Sequence, residues 1–517
     1  MKTPLTPLEP VLRTLAVYRD QPAVLLAHRR VSYGAWSERM ARLVGLLRAR
    51  GLQPGGHVLL ISPNTPDALL AFHSVPLAGG VIVPLNSAFG DEALNFLSAH
   101  ADPQVALVDA AQLGRVEDTL QTLNVPVIVL GGPDFEAELG ETEAHVLCLP
   151  DGLDEDAPIS INYTSGTTSD PKGVMLTHRN AFLALSNLLY HLNLRPQSVL
   201  LHALPLAHGN GWGCVWAATA AGATHVPLPD PGGLRAALSD PEVGATHLYA
   251  SPALLSALTD PAAPMRLARP VQLLLAGTSP PPRALRALQT QGFEVLHGYG
   301  LTETSAIMAM TDAADLRGLS DPFPVLARQG HPMVFGGQIA VVLESGQPVP
   351  ADGQTPGEII IRGNQVMKGY YHNRAATRKA IKNGWLHTGD LAVRHNDGRI
   401  EILDREGDLL NLSGQPVSSA QIEAVLYRHP SVREAVVVAT RGEGREEMPV
   451  AFVTLHPGAQ VVPRELLGFC APHLPSHALP RRIQLVSELP KTASGKVLKH
   501  VLRSQAAGKS NAVSADD

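Results

Sequence analysis

Short apolar runs that alternate with helix-like segments constrain the fold of this chain more than any other feature. From Gly51 to about residue 305, these runs have the length and composition of buried strands. The runs are HVLLIS (57–62), GVIVPL (80–85), VALVD (105–109), VPVIVL (125–130), THLYA (246–250) and VQLLLAG (271–277). Helical patterns lie between such runs, as in NAFLALSNLLYHL (180–192) and PRALRALQTQG (282–292). This alternation predicts an α/β fold with mostly parallel sheets covered by helices.

The pattern changes twice more towards the C-terminus. From about residue 328 to 400, short strands with glycine turns predict a small antiparallel or barrel-like unit. After Asp404, a helix pattern, two β runs, a second helix and a final strand predict a small α+β domain. Residues 506–517 have little apolar content and are predicted to be a disordered tail.

Length, charge and cysteine count narrow the class of protein. A chain of 517 residues is too long for one core and predicts two or more domains. The net charge of -6 gives no basic surplus for nucleic acid or an anionic membrane. The three cysteines are widely spaced, which predicts neither a disulfide framework nor a zinc site. Without a signal peptide or an uninterrupted apolar span, the sequence predicts a cytoplasmic protein with no stable membrane insertion.

The strongest functional motif is YTSGTTSDPKG, from Tyr163 to Gly173, which follows the β run PISINYT. Small residues let a backbone wrap around phosphate oxygens, hydroxyl and N–H groups donate to them, and Lys172 adds a positive charge. The alternative is an ordinary surface loop rich in serine and threonine. The density of donors favours a polyphosphate cradle, although the residue order of a P-loop is absent.

The motif GYGLTET (298–304) is a weaker signal by itself. Its simplest interpretation is a strand end followed by a turn. In a functional interpretation, Tyr299 could stack on a base, Thr302 could contact a phosphate, and Glu303 could bind Mg²⁺, which prefers carboxylate and phosphate oxygens.

Two more motifs indicate a function only in combination with the others. Asp390 in GWLHTGD and Arg405 in EILDR could hold ribose hydroxyls and a phosphate, or could form only a surface ion pair. The loop PKTASGK ends in Lys496, which could deliver a cation to a centre where charge accumulates, or could remain solvated.

Taken in order, the motifs YTSGTTSDPKG, LPLAHGNGW, GYGLTET, GEIIIRG with VMKGYY, GWLHTGD, DR and PKTASGK resemble those of the adenylate-forming superfamily. This superfamily contains acyl- and aryl-CoA synthetases, adenylation domains of peptide synthetases, and luciferases. The match runs from about residue 10 to 503. The resemblance implies a large N-terminal AMP-binding domain (1–405) of two α/β subdomains and a small β-barrel, followed by a mobile α+β C-terminal domain (406–505).

The resemblance also implies roles for individual residues. Glu303 would bind Mg²⁺, and Lys496 would bridge the attacking carboxylate and the α-phosphate. The residues implied in ATP or AMP binding are Thr164, Ser165, Gly166, Thr167, Thr168, Lys172, Gly277, Thr278, Ser279, His297, Gly298, Tyr299, Gly300, Thr302, Asp390 and Arg405. The residues implied in catalysis are Lys496, Thr302, Glu303 and His208.

The motif LPLAHGNGW indicates the acyl-CoA synthetase branch. Adenylation domains that use amino acids place an Asp in the segment occupied here by residues 206–208, so an α-amino group has no acidic partner. The implied acyl-pocket residues are His208, Gly209, Trp212, Gly298 and Ala306. Trp212 resembles a residue that gates a fatty-acyl tunnel in some relatives, and a core aromatic residue is equally compatible. The small, apolar lining fits a fatty, alicyclic or aryl acid.

Three positions depart from the family pattern. The hinge position, usually Asp or Lys, is Gly407 here, and glycine allows large φ/ψ changes. His297 stands where many members have Asn. The usual Gly-Gly-Glu after the hinge is replaced by Ser413-Gly414-Gln415. The retained Gly414 still allows the close approach of a pantetheine arm, in the thiol tunnel through which that arm reaches the acyl group.

The sequence therefore predicts an ATP-dependent acid–thiol ligase. It would form an acyl-adenylate with release of pyrophosphate and then a thioester, with ATP, Mg²⁺ and coenzyme A as its cofactors and substrates. The alternative is a stand-alone acyl-AMP ligase that loads an acyl carrier protein. A luciferase-type monooxygenase and a degenerate non-catalytic relative are less favoured. A homodimer is one oligomeric state that the sequence leaves open.

Overall fold

Buried apolar strands form the framework of the computed structural model. The structure describes residues 3–26, 29–164, 172–259, 264–277, 280–311, 316–412, 415–441, 447–491 and 497–508. The strands are β1 (Pro22–Leu26), β2 (Arg29–Ser32), β3 (His57–Ile61), β4 (Val81–Leu85), β5 (Pro103–Asp109), β6 (Val127–Leu130), β7 (Pro158–Thr164), β8 (Lys172–Thr177), β9 (Val199–His202), β10 (Thr224–Pro227), β11 (His247–Ala250), β12 (Val271–Ala276), β13 (Phe293–Leu301), β14 (Ala306–Met310), β15 (His331–Pro332), β16 (Gln338–Val342), β17 (Gly357–Arg362), β18 (Gly369–Tyr370), β19 (Ile381–Lys382), β20 (Trp385–Arg394), β21 (Ile400–Arg405), β22 (Leu410–Leu412), β23 (Gln415–Val417), β24 (Val432–Arg441), β25 (Glu447–Leu455) and β26 (Arg482–Leu485).

Helices cover the sheets, and several of them begin at a side-chain cap. In α7, Oγ1 of Thr177 accepts from the N–H of Asn180, whose side chain accepts from the N–H of Thr177. The helices are α1 (Leu8–Val17), α2 (Tyr33–Ala49), α3 (Pro66–Leu77), α4 (Asp91–His100), α5 (Glu117–Thr122), α6 (Gly132–Glu141), α7 (His178–His191), α8 (Gly209–Trp212), α9 (Cys214–Ala221), α10 (Leu234–Ser239), α11 (Pro252–Leu258), α12 (Pro282–Gln291), α13 (Phe323–Leu326), α14 (Arg374–Ala380), α15 (Ser419–Leu426), α16 (Pro463–Cys470) and α17 (Lys499–Gly508).

Two large sheets confirm the predicted α/β class. The first has the order β18-β8-β7-β4-β3-β5-β6, and the second has the order β15-β14-β13-β12-β11-β9-β10-β1-β2. Their central strands are parallel, while β8, β18, β2, β14 and β15 are antiparallel additions. Strands that are buried on both faces have continuous apolar sequences, so they could be recognised in the sequence.

The smaller sheet joins the two large ones near their edges. Strands β16, β17, β20, β19 and β21 form a five-stranded antiparallel sheet, in the region predicted as a small antiparallel unit. One apolar cluster contains Val174 of the first large sheet, Tyr299 of the second and Ile361 of the small sheet. The shared core therefore brings all three sheets together around the strand ends that carry the motifs.

The C-terminal segment has cores of its own. Strands β24, β25 and β26 form one sheet, with β22 and β23 as a separate hairpin. Among the described residues, the apolar side chains on both faces of that sheet cluster with others of the C-terminal segment, including Ile422, Val437 and Leu502. A large N-terminal part and a smaller α+β C-terminal part are thus confirmed.

Helix α17 corrects one boundary. The disordered tail was predicted from residue 506, but α17 continues to Gly508. Leu502 and Ala506 are each 1% exposed, and Arg482 donates to the carbonyl oxygen of Ala506. The rest of the predicted tail lies outside the described residues. No helix in the described ranges combines the length and apolar character needed to cross a bilayer.

Candidate active site

The hairpin of β7 and β8 holds the ends of the predicted phosphate loop. Thr164 and Lys172 are paired across the two antiparallel strands, so the loop starts and finishes at one point. Residues 165–171, including the predicted Ser165, Gly166, Thr167 and Thr168, lie outside the described residues. The backbone pairing of β7 with β8 therefore fixes the position of Lys172 at the end of the loop.

Tyr370 connects that lysine to the predicted metal ligand. Nζ of Lys172 lies 5.3 Å from the centre of the Tyr370 ring, within cation–π range. The Tyr370 hydroxyl donates to Oε1 of Glu303 at 2.9 Å. Burial, followed by the neighbouring Glu303 carboxylate, raises the pKa of Tyr370, so the phenol stays protonated and remains a donor.

The turn that carries Thr302 and Glu303 is strained. Ser305 and Ala306 both have positive φ, at 56° and 105°, a region that side chains with a Cβ rarely adopt. Oγ1 of Thr304 holds the turn by accepting from the N–H of Leu301 and lying 2.9 Å from the carbonyl oxygen of Ala306. Backbone strain of this kind is common at functional sites, where the surrounding structure imposes the geometry.

Gly300 allows this turn to fold back on its strand. A Cβ at Gly300 would lie 1.8 Å from the carbonyl oxygen of Ala306, so no other residue fits without moving the backbone. At Gly298, a Cβ would lie 2.8 Å from the Ile307 side chain. The glycines of GYGLTET are therefore required by the close packing of β13 against β14.

Asp390 forms a hydrogen bond with Tyr299 and an ion pair with Arg405. The Tyr299 hydroxyl donates to Oδ2 of Asp390 at 2.7 Å, and Nε of Arg405 lies 3.2 Å from Oδ1. Asp390 and Arg405 are paired residues on β20 and β21, which explains how two distant motifs meet. Burial, followed by Asp390, raises the pKa of Tyr299, so the phenol remains protonated.

The other predicted nucleotide residues lie around the end of β12 and β13. Gly277 directly follows β12 and is exposed. His297 is buried, and its Nδ1 lies 3.0 Å from the carbonyl oxygen of Arg328. This ring atom therefore hydrogen-bonds to the backbone. The predicted Thr278 and Ser279 lie outside the described residues.

The predicted acyl pocket contains a left-handed turn after His208. Gly209, Asn210 and Gly211 have φ of 54°, 56° and 56°. A Cβ built at the following Gly213 would lie 3.9 Å from Cβ of Ala306, so the turn lies beside β14. His208 is half-buried. Of Trp212 only the backbone lies within the described part of the structure.

The C-terminal motifs are only partly described. Gly407 lies between β21 and β22, and its carbonyl oxygen accepts a hydrogen bond of 2.9 Å from Arg503 on α17. Arg503 also pairs with Asp408, so helix α17 contacts both the predicted hinge residue Gly407 and the residue after it. The predicted thiol-tunnel residue Gly414 and the predicted catalytic Lys496 lie outside the described residues.

The donor set at Glu303 fits Mg²⁺ but not an ion bound by protein alone. Among the described residues, no group of three or more His, Cys, Asp and Glu side chains could hold a metal. Mg²⁺ commonly uses one or two carboxylates and completes its shell with water and substrate phosphate oxygens. Glu303 therefore fits as a single protein ligand to an ion that arrives with ATP.

Sequence reasoning missed the part played by Tyr370. The motif VMKGYY contributed to the family resemblance, but a tyrosine after a glycine carries no chemical signal of its own. The contact depends on pairing of β18 with β8 and of Tyr370 with Val174, which no local pattern indicates. The nearest available signal was the presence of two adjacent tyrosines in a motif otherwise made of strand and turn residues.

Comparison with known proteins identifies the family. The model of the AMP-binding enzyme family matches residues 11–371, and that of the AMP-binding enzyme C-terminal domain matches residues 421–496. The chain is 34% identical to a peroxisomal acetate/butyrate–CoA ligase of Arabidopsis thaliana, covering 98% of this chain and 95% of the relative. It is also 34% identical to 4-hydroxybutyrate–CoA ligase 2 of Metallosphaera sedula, with 98% and 95% covered.

A solved structure agrees with these relatives. The crystal structure of a benzoate–CoA ligase from Burkholderia xenovorans superposes with a TM-score of 0.86 at 25% identity, covering 96% of this chain and 99% of the other. Both the large and the small parts of the fold are thus matched in one protein. The chain therefore belongs to the AMP-binding enzyme family, in the branch of ATP-dependent ligases that join carboxylic acids to coenzyme A.

Proposed function

We propose that this chain activates a small aliphatic or aryl carboxylic acid as its acyl-adenylate and passes the acyl group to coenzyme A. The observation that carries the proposal is the contact of one phenol, that of Tyr370, with both Lys172 and Glu303. A lysine at a phosphate loop and a carboxylate suited to Mg²⁺ are the two charges that a bound triphosphate requires. Tyr370 keeps them at a fixed separation.

The remaining nucleotide contacts follow from the Asp390 group. Asp390 would accept from the ribose hydroxyls, because its carboxylate is held in place by Tyr299 and Arg405. Thr302 would donate to the α-phosphate from the strained turn beside Glu303. The loop from Thr164 to Lys172 would bind the β- and γ-phosphates through N–H and hydroxyl donors.

The reaction has two displacements. A carboxylate oxygen attacks the α-phosphorus, an oxygen–phosphorus bond forms, and pyrophosphate leaves with the electron pair of the bond that breaks. The carboxylate and triphosphate repel each other, and Lys172 and Lys496, together with an Mg²⁺ ion that Glu303 would hold, would reduce that repulsion. The coenzyme A sulfur then attacks the acyl carbon, the thiol proton passes to solvent, and AMP leaves with the carbon–oxygen electron pair.

The named relatives support a small acid. They are ligases for acetate or butyrate, for 4-hydroxybutyrate and for benzoate. The predicted pocket positions Gly209, Gly298 and Ala306 carry small residues, which is compatible with this size class.

Movement of the C-terminal part completes the proposed cycle. We propose that residues 406–505 rotate about Gly407, so that Lys496 serves adenylation and then withdraws while Gly414 borders the thiol path. Gly407 supports this role because a Cβ there would meet no atom within 4 Å, and its φ is not in the left-handed region. The glycine is thus not required by the described conformation, and its freedom is available for movement.

An acid panel tests the proposed function. Pyrophosphate release would be measured with ATP and Mg²⁺ for acetate, butyrate, 4-hydroxybutyrate, benzoate and long-chain fatty acids, with and without coenzyme A. Release that is stimulated by coenzyme A, with the thioester detected by mass, is expected for the small acids. Release of about one equivalent per enzyme whatever the coenzyme A would indicate a carrier-protein acceptor instead. No release with any acid would contradict the proposal.

The cytoplasm remains the proposed location, and the unpaired cysteines Cys148, Cys214 and Cys470 support it, because thiols stay reduced there. The peroxisomal description of one relative is a property of that protein. A fluorescent fusion of the full chain, imaged against cytoplasmic and peroxisomal markers in a eukaryotic host, would separate the two locations.

A further inference from the structure

One buried asparagine holds the backbone that leads to His208. Asn64 lies between β3 and α3 and is 6% exposed. Its Nδ2 donates to the carbonyl oxygens of His202 and Leu204, each at 2.8 Å, and its Oδ1 accepts from the N–H of Leu206 at 2.8 Å. A single side chain therefore satisfies three backbone groups on one side of the predicted acyl pocket.

A second buried group holds the other end of the same segment. Nδ2 of Asn162 donates to Oδ1 of Asn210 at 3.0 Å, and Nδ2 of Asn210 donates to Oγ of Ser160 at 2.8 Å. The Ser160 hydroxyl donates to Oδ1 of Asn162 at 2.9 Å, which closes a ring of three side chains. Ser160 and Asn162 lie on β7, the strand that ends in the phosphate loop.

The segment from His202 to Asn210 contains a strained backbone turn. Asn210 has φ of 56° between two left-handed glycines, and the three together form a short left-handed turn. A non-glycine residue in this region is strained, although asparagine tolerates it better than most. The ring with Ser160 and Asn162 is the interaction that offsets this strain.

We propose that Asn64 and Asn162 are positioning residues that fix the segment from His202 to Asn210 and thereby set the affinity and selectivity for the acid. The inference rests on the proposed function, because it assumes that the turn after His208 borders the acid. Asn64 acts only through backbone groups of that segment and is separate in sequence from every nucleotide motif. Its loss should therefore affect acid binding and spare ATP binding.

The test compares steady-state kinetics of the wild type and Asn64→Ala. The KM for the preferred acid is expected to rise about tenfold, which corresponds to the net loss of roughly one hydrogen bond. The KM for ATP should stay within about twofold. Preference among the acids of the panel should also flatten, because a loosened turn no longer rejects poorly fitting acids.

Two further variants separate positioning from loss of stability. Leu47→Ala removes a fully buried side chain of α2, a helix outside the segment, and should lower the melting temperature without changing either KM. Asn64→Ser replaces the carboxamide with a hydroxyl, which keeps an acceptor for the N–H of Leu206, and should recover part of the acid affinity. If Asn64→Ala does not fold, Asn64→Ser provides the same comparison.

Several outcomes would overturn the inference. The inference would be overturned if the KM for the acid were unchanged in Asn64→Ala. It would also be overturned if the KM values for acid and ATP rose equally. Neither result would contradict the proposed function. The same change in acid KM for Leu47→Ala would also contradict the inference, since any destabilisation would then suffice. Absence of wild-type activity with every acid would instead contradict the proposed function, and with it the acid site assumed here.

Discussion

The Tyr370 hydroxyl donates to Oε1 of Glu303 at 2.9 Å while the face of the same ring lies 5.3 Å from Nζ of Lys172. One side chain thus contacts both Glu303, the proposed Mg²⁺ ligand, and Lys172, the proposed phosphate-binding cation. The two functions of Tyr370 use different parts of the phenol, the hydroxyl and the ring. They can therefore be removed separately.

Tyr370→Phe should weaken the response to Mg²⁺ more than the binding of ATP. It deletes the hydrogen bond to Glu303 and keeps the ring beneath Lys172. Loss of a group that orients a metal ligand lowers metal affinity by roughly tenfold or more. A Mg²⁺ titration of pyrophosphate release should show this shift, and Tyr370→Ala should also raise the KM for ATP. Identical profiles for the Phe and Ala variants would show that the two contacts are not separable.

Asp390→Ala should weaken AMP binding and destabilise the protein. Asp390 is 5% exposed and accepts from Tyr299, so its removal leaves a buried phenol without its acceptor. Such a loss costs about 1–3 kcal/mol of unfolding free energy. Asp390→Asn keeps the shape and an acceptor oxygen, so it should be nearly as stable as wild type while AMP binding still falls. Calorimetric titration with AMP and thermal melting would measure the two effects, and unchanged AMP affinity in both variants would contradict the ribose assignment.

A chain of buried histidines predicts loss of stability in acid. Nε2 of His73 and of His225 lie 2.9 and 2.8 Å from the hydroxyl of Thr219, and Nδ1 of His225 lies 2.8 Å from Nε2 of His202. Burial lowers the pKa of His73 to about 4 and that of His202 to about 3, and it lowers that of His225 as well. All three rings are therefore neutral in the folded protein near neutral pH.

The sign of the effect follows from proton binding. Between pH 6.5, the ordinary histidine value, and about 4, the unfolded chain binds more protons than the folded one, so the free energy of unfolding falls as pH falls. Each such histidine contributes a slope of about 1.4 kcal/mol per pH unit in that window. Urea unfolding at several pH values should show the decline, and His202→Phe should reduce its slope. A slope that the substitution leaves unchanged would assign the acid sensitivity to other groups.

Lys496→Ala should abolish adenylation and spare the second step. Acid-dependent exchange between ATP and pyrophosphate is expected to fall by at least about a hundredfold, since a charge that neutralises the transition state is lost. Thioester formation from a supplied acyl-adenylate should continue. Lys382→Ala, which changes an exposed lysine of β19, provides the matched control. Equal losses in the two assays would refute the assignment of Lys496 to the first step.

Substitutions at Gly407 should separate the two half-reactions. Gly407→Ala is expected to leave exchange unchanged, because no atom lies within 4 Å of the added Cβ. Gly407→Pro restricts φ and should spare exchange while thioester formation falls. Full turnover by the proline variant would show that rotation does not take place at this residue.

The sequence indicated the strands and motifs better than the contacts between them. Runs such as 57–62 and 271–277 were readable because strands buried on both faces are continuously apolar. The sequence offered the pairing of Asp390 with Arg405 only as a surface ion pair, and its actual geometry depends on the register of β20 and β21. Register joins residues that are distant in sequence, so local patterns do not reveal it.

Polar positioning residues were harder still to predict. Asn64 and Asn162 resemble ordinary turn and strand residues in sequence, and each gains its role from partners more than 40 residues away. The positive φ of Ala306 has no signal either, since alanine is not a residue expected in that region. Its strain follows from the close approach of β13 and β14 at Gly300, which only the folded chain establishes.

The most direct test of the central claim follows the oxygen atoms of the acid. The purified full-length protein would be incubated with ATP, Mg²⁺, coenzyme A and butyrate or benzoate labelled with ¹⁸O in the carboxylate, and the products would be analysed by mass spectrometry. Adenylation predicts AMP that carries one ¹⁸O atom, a thioester whose carbonyl retains the other, and unlabelled pyrophosphate. Label in inorganic phosphate with release of ADP would indicate an acyl phosphate, and would contradict activation through an acyl-adenylate.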